Sequence, residues 1–453
     1  MDESLDAMLN RGLAHQQAGR LREAEQLYRA VLQADPRCAD ARHLLGLVAL
    51  QAGQADAAVG LLEGAIRLRG NSPVYHNNLG EALRTLSRWD EAIAAYQQAI
   101  RLQPSFAEAH NNLGTVYQNQ GRLMAALTCY ETAIACKPDY ANAHYNRART
   151  WLSLGDFERG WREYEWRWQR SEFVRPVLSQ PAWDGSPLAG RTLLVQCEQG
   201  LGDTLQFIRY LPALQAAGDK VLVEVQPPLV KLLADSGIAN LVTLDRPLPP
   251  FDVQAMLMSL PMLLGTTLET IPANVPYLAA RESLIEAWSK RLANEPGRLK
   301  VGIQWQGNPR SPLEPWRSMP LAEFASLAKI PGVQLFSLQQ GFGSEQVAPL
   351  ATTVPLTDWT AELDRTNGPF LDTAALIKSL DLVITSDSVT VHLAGALGVP
   401  VWVALSTSAD FRWLRDRADS PWYPSMRLFR QRRLGVWSEV FAEIAAELRK
   451  LVA

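Results

Sequence analysis

A strict 34-residue period governs the opening stretch of the chain. Glycines stand at Gly12, Gly46, Gly80 and Gly114, alanines at Ala24, Ala58, Ala92 and Ala126, and Tyr28, Leu62, Tyr96, Tyr130 and Tyr164 keep the same spacing. Pro36, Pro104 and Pro138 close the first, third and fourth units, and Gly70 takes that place in the second. A period of this length means one supersecondary unit repeated, each copy unable to bury its apolar face alone. Small residues let two antiparallel helices approach closely, an aromatic fills the groove between them, and proline ends the second helix.

The pattern resembles the tetratricopeptide repeat, with units at about 5–38, 39–72, 73–106, 107–140 and 141–174. In the fifth, Arg147 and Ala148 replace the leucine–glycine pair, and the second helix carries Phe157, Trp161, Tyr164, Trp166 and Trp168. Those aromatics exceed what a solvated end cap needs, so they are expected to bury the array against the next domain. The first helices of such repeats are expected to line a concave binding face. Two ladders fall there at the repeat period: His76, His110, His144 and Asn78, Asn112, Asn146. A primary amide both donates and accepts, so a column of asparagines can hold an extended peptide by its backbone. Equally, asparagine can be a tolerated repeat residue that only caps or solvates. The histidines are expected to pack or to be solvated, and no zinc site is expected where a whole repeat separates each from the next. An asparagine ladder directly before the leucine–glycine pair is similar to that of the eukaryotic O-GlcNAc transferases. That resemblance implies acceptor-peptide binding at Asn78, Asn112 and Asn146.

With 453 residues, about three domains are expected. They are read as a repeat array over 1–174, a linker over 175–190 rich in proline and glycine, and two further lobes over 191–297 and 298–453. Hydrophobic residues make up 47% and charged residues 20%, enough to build cores and too apolar for disorder. A formal charge of −3 argues against nucleic-acid binding, which needs a basic face. Cys38, Cys129, Cys136 and Cys197 are too few and too scattered for a disulfide framework or a zinc site. The acidic start Met1-Asp2-Glu3-Ser4 has no apolar h-region, so no signal peptide is expected. The apolar run Val253 to Leu268 is interrupted by Pro261 and too short to span a bilayer. Together these point to a cytoplasmic, reduced protein.

After Arg170 the period disappears. Thr192 to Cys197 reads as a buried strand, followed by Gly200-Leu201-Gly202-Asp203, an apolar-periodic helix (Leu205, Ile208, Leu211, Leu214), a strand over Val221–Val225 and a helix over Leu229–Ala234. A second alternating unit follows Pro296-Gly297, with strands at Val301–Trp305, Val333–Leu338, Leu382–Thr385 and Val399–Leu405, and a final helix over Trp437–Leu451. Strand–helix alternation marks a parallel sheet covered by helices. Two such lobes in tandem predict a crevice where strand carboxyl ends face one another.

The loops at those ends hold the candidates for chemistry. Gly200 and Gly202 allow close approach of a ligand to the backbone at a helix start. The third glycine of a dinucleotide fingerprint is replaced by Leu205, although Glu224 mimics the ribose-binding acid of a nicotinamide enzyme. Asp203 is either an ordinary N-cap or a general base. In the second lobe, Gln306-Gly307-Asn308-Pro309-Arg310 makes a polar loop, and Arg317 suits a phosphate through its planar fork. Ser337 and Gln339 sit in another strand-end loop. Asp387-Ser388 precedes a helix whose first amides can cradle an anion, with His392 one turn deeper. A histidine in an apolar helix is also a common satisfied core residue. In the tail, Trp422 and Tyr423 are expected to pack, whereas Arg412 is a better ligand contact.

The Gly-Asp turn at Gly202-Asp203, the Arg317-x-x-Pro320 entry, and the Asp387-Ser388…His392…Ala394-Gly395-Ala396-Leu397-Gly398-Val399-Pro400 segment together resemble the bacterial heptosyltransferases. Those are metal-independent glycosyltransferases of GT-B fold, and the resemblance covers about 190–450. It implies an α-helical tetratricopeptide solenoid followed by an α/β GT-B module of two Rossmann-like lobes. It also implies Asp203 as catalytic base. Donor or phosphate contacts would come from Gly200, Gly202, Gln306, Asn308, Arg317, Ser337, Gln339, Asp387, Ser388, His392 and Arg412. A nucleotide-sugar co-substrate is implied, with no cofactor and no metal. The family's basic residue at the Arg317 position is usually lysine, and the turn before Asp203 is Leu-Gly instead of Ser/Met-Gly.

The organisation is similar to that of O-GlcNAc transferases and of bacterial flagellin glycosyltransferases that join such repeats to a GT-B domain. The leading expectation is sugar transfer to Ser or Thr hydroxyls of a protein acceptor, flagellin-like among the candidates, with no nucleic-acid partner, no transmembrane segment and self-association of the repeats open. A non-catalytic scaffold, a transferase acting on lipopolysaccharide or another glycan, and a nicotinamide enzyme are the competing readings.

Overall fold

The computed structural model describes residues 4–216, 220–295, 297–309 and 314–453; Met1-Asp2-Glu3, the boundary residue Pro296, and Arg310 of the polar loop lie outside them. The chain forms two compact units: Met1–Thr150 with Trp166–Phe173, and Trp151–Glu165 with Val174–Ala453.

In the first unit the period becomes helix pairs. Leu5–Gln17, Ala39–Gln51, Pro73–Thr85, Ala107–Asn119 and Ala141–Ser153 are 13 residues each and start at 34-residue intervals. Their partners Leu21–Ala34, Ala55–Leu68, Trp89–Leu102 and Leu123–Cys136 are 14 residues each. The repeated glycines mark where these helices touch: a Cβ at Gly80 would lie 2.6 Å from the Tyr96 ring, and one at Gly114 2.7 Å from Tyr130. The histidine ladder does more than pack or meet solvent. The Nε2 of His76, His110 and His144 bonds the carbonyls of Gly70, Pro104 and Pro138 at 3.0, 2.9 and 2.8 Å. Each ring thereby satisfies a carbonyl in the turn after the preceding helix, a group otherwise left to water.

In the second unit, helix Phe157–Tyr164 packs its aromatic face on the α/β core. The Trp161 ring meets Phe207 and Phe411 edge-on at 5.7 and 5.6 Å, and Phe157 lies 5.9 Å from Trp422. The first sheet contains β1 (Thr192–Gln196), β2 (Lys220–Val225), β3 (Leu241–Thr243) and β4 (Val253–Met256) in the order β3-β2-β1-β4, all parallel. The second contains β5 (Leu299–Gln304), β6 (Val333–Ser337), β7 (Leu382–Thr385), β8 (Val401–Leu405) and β9 (Met426–Arg430) in the order β6-β5-β7-β8-β9, again parallel. A helical repeat array followed by two parallel α/β sheets is the expected fold class, consistent with GT-B lobes.

Three strands went unread in the sequence. β4 is four residues, buried along its whole length with Gln254 among them, and so shows no inside–outside alternation. β3 is only three half-buried residues. β9, read as tail, is an edge strand carrying Arg427 and Arg430. The second sheet is filled by Trp305, Phe324, Leu335, Ile384, Phe441 and Ile444.

Strand order locates the site. The chain leaves β1 toward β2 on one side and returns to β4 on the other; it does the same around β5 with β6 and β7. In open α/β sheets a ligand crevice forms at such switch points, outside the strands' carboxyl ends. The loops after β1, β5 and β7 carry most of the sequence candidates of this unit, with Gln339 following β6 and Arg412 following β8.

Candidate functional site

After β1 the chain turns into helix Leu201–Phe207, with Gly200 as its N-cap. Asp203 is therefore not the N-cap: it is the third helical residue, and its Oδ2 reaches back to accept the Gly200 N–H at 2.8 Å. Its other oxygen pairs with Nη2 of Arg412, which comes from the turn Phe411–Trp413 beyond β8. The same guanidinium donates to Asp410 Oδ1 and to Gln206 Oε1, each at 2.6 Å, and lies 4.5 Å from the Phe411 ring centroid. An acid from the first sheet is thus held in a fixed orientation by a buried arginine from the second. Burial pushes the Asp203 carboxyl above its ordinary value, against the opposing pull of Arg412 and the Gly200 amide. Burial works against the Arg412 charge too, but Asp410 and Asp203 outweigh it and hold the guanidinium above its usual range.

Gly202 is required by close approach. A Cβ there would lie 3.0 Å from His392 Cδ2 and 3.6 Å from Val389 Cα, so helix Leu201–Phe207 rests directly on helix Val389–Ala396. Ser388 caps the latter without a side-chain bond to it, because its hydroxyl donates to Gln304 Oε1 at 2.6 Å. Thr385 donates to the same oxygen at 2.6 Å. Gln304, at the end of β5, thus ties two strand ends together and leaves the first amides of helix Val389–Ala396 uncapped by Ser388. Asp387 beside them is raised to about 6, by burial first and then by Asp410, with Arg317 and Arg412 opposing.

The β5 loop is organised by a second glutamine. Gln339 Oε1 accepts the amides of Trp305 and Gln306 at 3.1 and 2.9 Å, while its amide donates to the Phe342 carbonyl at 2.6 Å. Arg317 donates to Glu314 Oε2 at 2.9 Å, and Glu314 Oε1 accepts the Gly307 N–H at 2.6 Å. Arg317 keeps about a quarter of its side chain exposed.

These elements enclose a cleft of about 1280 Å³. Every candidate named outside the repeats lines it except Ser337. That hydroxyl is 1% exposed beneath the loop, where it accepts the Gln339 N–H at 3.3 Å. Glu224 is not on the cleft either; buried, it accepts from the Gln196 amide at 2.5 Å, which removes the ribose-binding acid of the nicotinamide reading. Trp422 and Tyr423 are fully buried, as their packing role required.

Several groups here belong to no motif in the sequence. Gln340 donates to Asp364 at 3.2 Å and to Thr373 at 2.9 Å on the far wall of the cleft. Arg209 is buried with bonds to the Gln206 and Trp422 carbonyls and to Tyr277. The one available signal was an arginine inside the apolar run Phe207-Ile208-Arg209-Tyr210-Leu211.

Asn78, Asn112 and Asn146 lie in the first unit and form a relay. Asn146 donates to Asn111 and Asn112 to Asn77, each at 3.0 Å; Asn111 bonds Asn112 at 3.3 Å and Asn77 bonds Asn78 at 3.2 Å; Asn78 meets His43 Nε2 at 2.8 Å. All three remain partly exposed, each with one amide proton beyond those bonds.

Comparison with known proteins assigns the first unit. Family profiles described as "Tetratricopeptide repeat" match residues 9–73 and 107–140, and one described as "TPR repeat" matches 80–121. The N-terminal part is a tetratricopeptide-repeat array. The chain is also similar to Protein FlbA of Caulobacter vibrioides (strain ATCC 19089 / CIP 103742 / CB 15), 29% identical over 329 residues, covering 68% of this chain and 55% of that protein. The chain thus spans about half the length of that curated relative. Among solved structures, MamA is similar at 26% identity and a TM-score of 0.32, over 36% of this chain and 94% of that one. A thermophilic TPR protein of Thermus thermophilus is similar at 20% identity and a TM-score of 0.35, over 38% of this chain and 93% of that one.

Proposed function

We propose that the second unit transfers a sugar from a nucleotide-activated donor to a hydroxyl, and that the repeat array presents a protein acceptor carrying that hydroxyl on Ser or Thr. The observation that carries the reading is the Asp203–Arg412 pair: a carboxylate from one sheet, oriented by a cation from the other, in a cleft at both switch points. In the reaction, the acceptor oxygen bonds to the anomeric carbon while its proton passes to Asp203. The bond from that carbon to the donor phosphate breaks, and its electron pair leaves with the phosphate. Arg317 and the first amides of helix Val389–Ala396 would take up the charge developing on the leaving group. Burial suits Asp203 to this role, since a raised carboxyl is a better base near neutral pH.

A scaffold without turnover would not need Asp203 and Arg317 on a common cleft, and both line the same one. The protein acceptor rests on the asparagine relay, whose spare amide protons suit a peptide backbone.

The first test is thermal melting with UDP, GDP, ADP and CMP. A bound nucleotide well above its dissociation constant raises the melting point by mass action. Transfer is then assayed with the donor so identified and a candidate acceptor protein, against the triple variant Asn78→Ala, Asn112→Ala, Asn146→Ala. Loss of acceptor modification with donor hydrolysis intact supports the protein acceptor; unchanged transfer to a glycan supports the glycan reading. No melting shift with any nucleotide and no transfer from any nucleotide sugar would sink the transferase itself.

A further inference from the structure

His392 lies on helix Val389–Ala396, is 5% exposed and lines the cleft. Its ring runs nearly parallel to that of Trp413, centroids 5.7 Å apart, and its Nδ1 lies 3.0 Å from the Tyr423 hydroxyl. That hydroxyl is 3.3 Å from the hydroxyl of Tyr277. The Tyr277 oxygen is in turn 2.9 Å from the Leu205 carbonyl and 2.9 Å from Nη2 of Arg209.

The far end of this chain of contacts fixes its protons. A guanidinium only donates and a carbonyl only accepts. Tyr277 therefore receives from Arg209 and gives its single proton to Leu205. Tyr277 then has only lone pairs to offer Tyr423 at 3.3 Å, and a Tyr423 proton placed on that contact turns lone pairs toward His392. In that arrangement Nδ1 carries the proton. A Tyr277 proton turned to Tyr423 instead would set the Tyr277 and Leu205 oxygens lone pair to lone pair at 2.9 Å. The ring is neutral as well: burial first, then the neighbouring guanidiniums Arg412 and Arg209, hold it well below the ordinary histidine value.

We infer that His392 presents a bare Nε2 to the cleft and takes a hydrogen bond there from a hydroxyl of a bound sugar or acceptor, instead of giving one to phosphate. Nε2 faces the turn that carries Asp203: a Cβ at Gly202 would lie 3.8 Å from it. Opposite a phosphate oxygen a bare nitrogen would repel, so the anion contacts belong to Arg317 and the backbone amides. Arg209, Tyr277 and Tyr423 act through His392 and are positioning residues. The tautomer stands on these contacts and on the burial of the ring; only the identity of the hydroxyl rests on the transferase reading.

The test is ¹⁵N NMR of the full chain labelled at its six histidines, with the His392 signals assigned by their loss in His392→Gln. At pH 7.5 the wild-type ring should show a proton-bearing Nδ1 and an Nε2 shifted as a bare imidazole nitrogen; a proton on Nε2 overturns the inference. Tyr277→Phe frees the Tyr423 proton for Nδ1, so the proton should move to Nε2; an unchanged tautomer in the folded variant overturns the relay. Should Tyr277→Phe fail to fold, Tyr423→Phe replaces it, and a mixture of tautomers is expected. Inorganic pyrophosphate should leave Nε2 bare, and protonation on its addition would count against the hydroxyl role. A nucleotide sugar that raises the melting point should shift Nε2 without protonating it, where its nucleoside diphosphate does not. If the shift appears only once the acceptor protein is added, the hydroxyl is the acceptor's. Absence of transfer beside the expected tautomer would sink the enzyme reading and leave this one standing.

Discussion

Among single residues, two carboxylates respond to their surroundings in ways that separate base from bystander. Asp203→Asn should lower transfer by about 10²–10⁴-fold, the usual worth of a general base, with nucleotide-induced melting shifts retained. Because burial raises the wild-type carboxyl, the acid limb of the transfer rate should fall at a pH above the ordinary aspartate value, read from a pH–rate profile. Asp387, raised to about 6, has a stability signature. A raised acid binds its proton more tightly folded than unfolded, so its burden is complete above about pH 6 and fades as pH falls toward 3.8. Asp387→Asn should therefore raise the melting point at pH 7.5, by about 2–4 °C per kcal/mol relieved, and lose the gain near pH 4. Asp203 and His392 were legible because each sits in a short motif after a strand, whereas Arg412 stood out only as a cation among the aromatics of the tail. Arg209 and Tyr277 were not, since their partners are main-chain carbonyls and hydroxyls tens to hundreds of residues away, which no local pattern records.

Whole elements were readable where their burial imposes a period. The repeat helices follow from glycines that face rings: Gly80→Ala would drive a methyl to within 2.6 Å of Tyr96. Overpacking of this kind costs about 1–3 kcal/mol, and thermal unfolding of the variant should show a correspondingly lower transition for the repeat array. The strands β3, β4 and β9 escaped because burial on both faces, shortness, or an arginine-bearing edge erases alternation. The histidine ladder had a visible period but an invisible purpose, because its bonds run to carbonyls six residues earlier.

At the scale of the molecule, the boundary in contacts does not follow the repeat boundary. Trp151–Glu165, which completes the fifth repeat in sequence, belongs with the α/β unit, and Trp166–Phe173 returns to the array. A fragment beginning at Trp151 should melt cooperatively, whereas one beginning at Val174 leaves Phe207, Phe411 and Trp422 without the ring of Trp161 and should aggregate. Size-exclusion chromatography and melting of the two fragments check this. Within the α/β unit, Arg209 departs from the first sheet's helical segment to grip the Trp422 carbonyl beyond β8 and the Pro272 carbonyl on the way between the sheets. Drawing that cation out would strand it unpaired in an apolar setting. A clamshell swing of the two lobes is thereby latched at one corner. Traffic through the cleft then relies on side chains and loop tips, and solution scattering should return the same radius of gyration whether or not a nucleotide is bound.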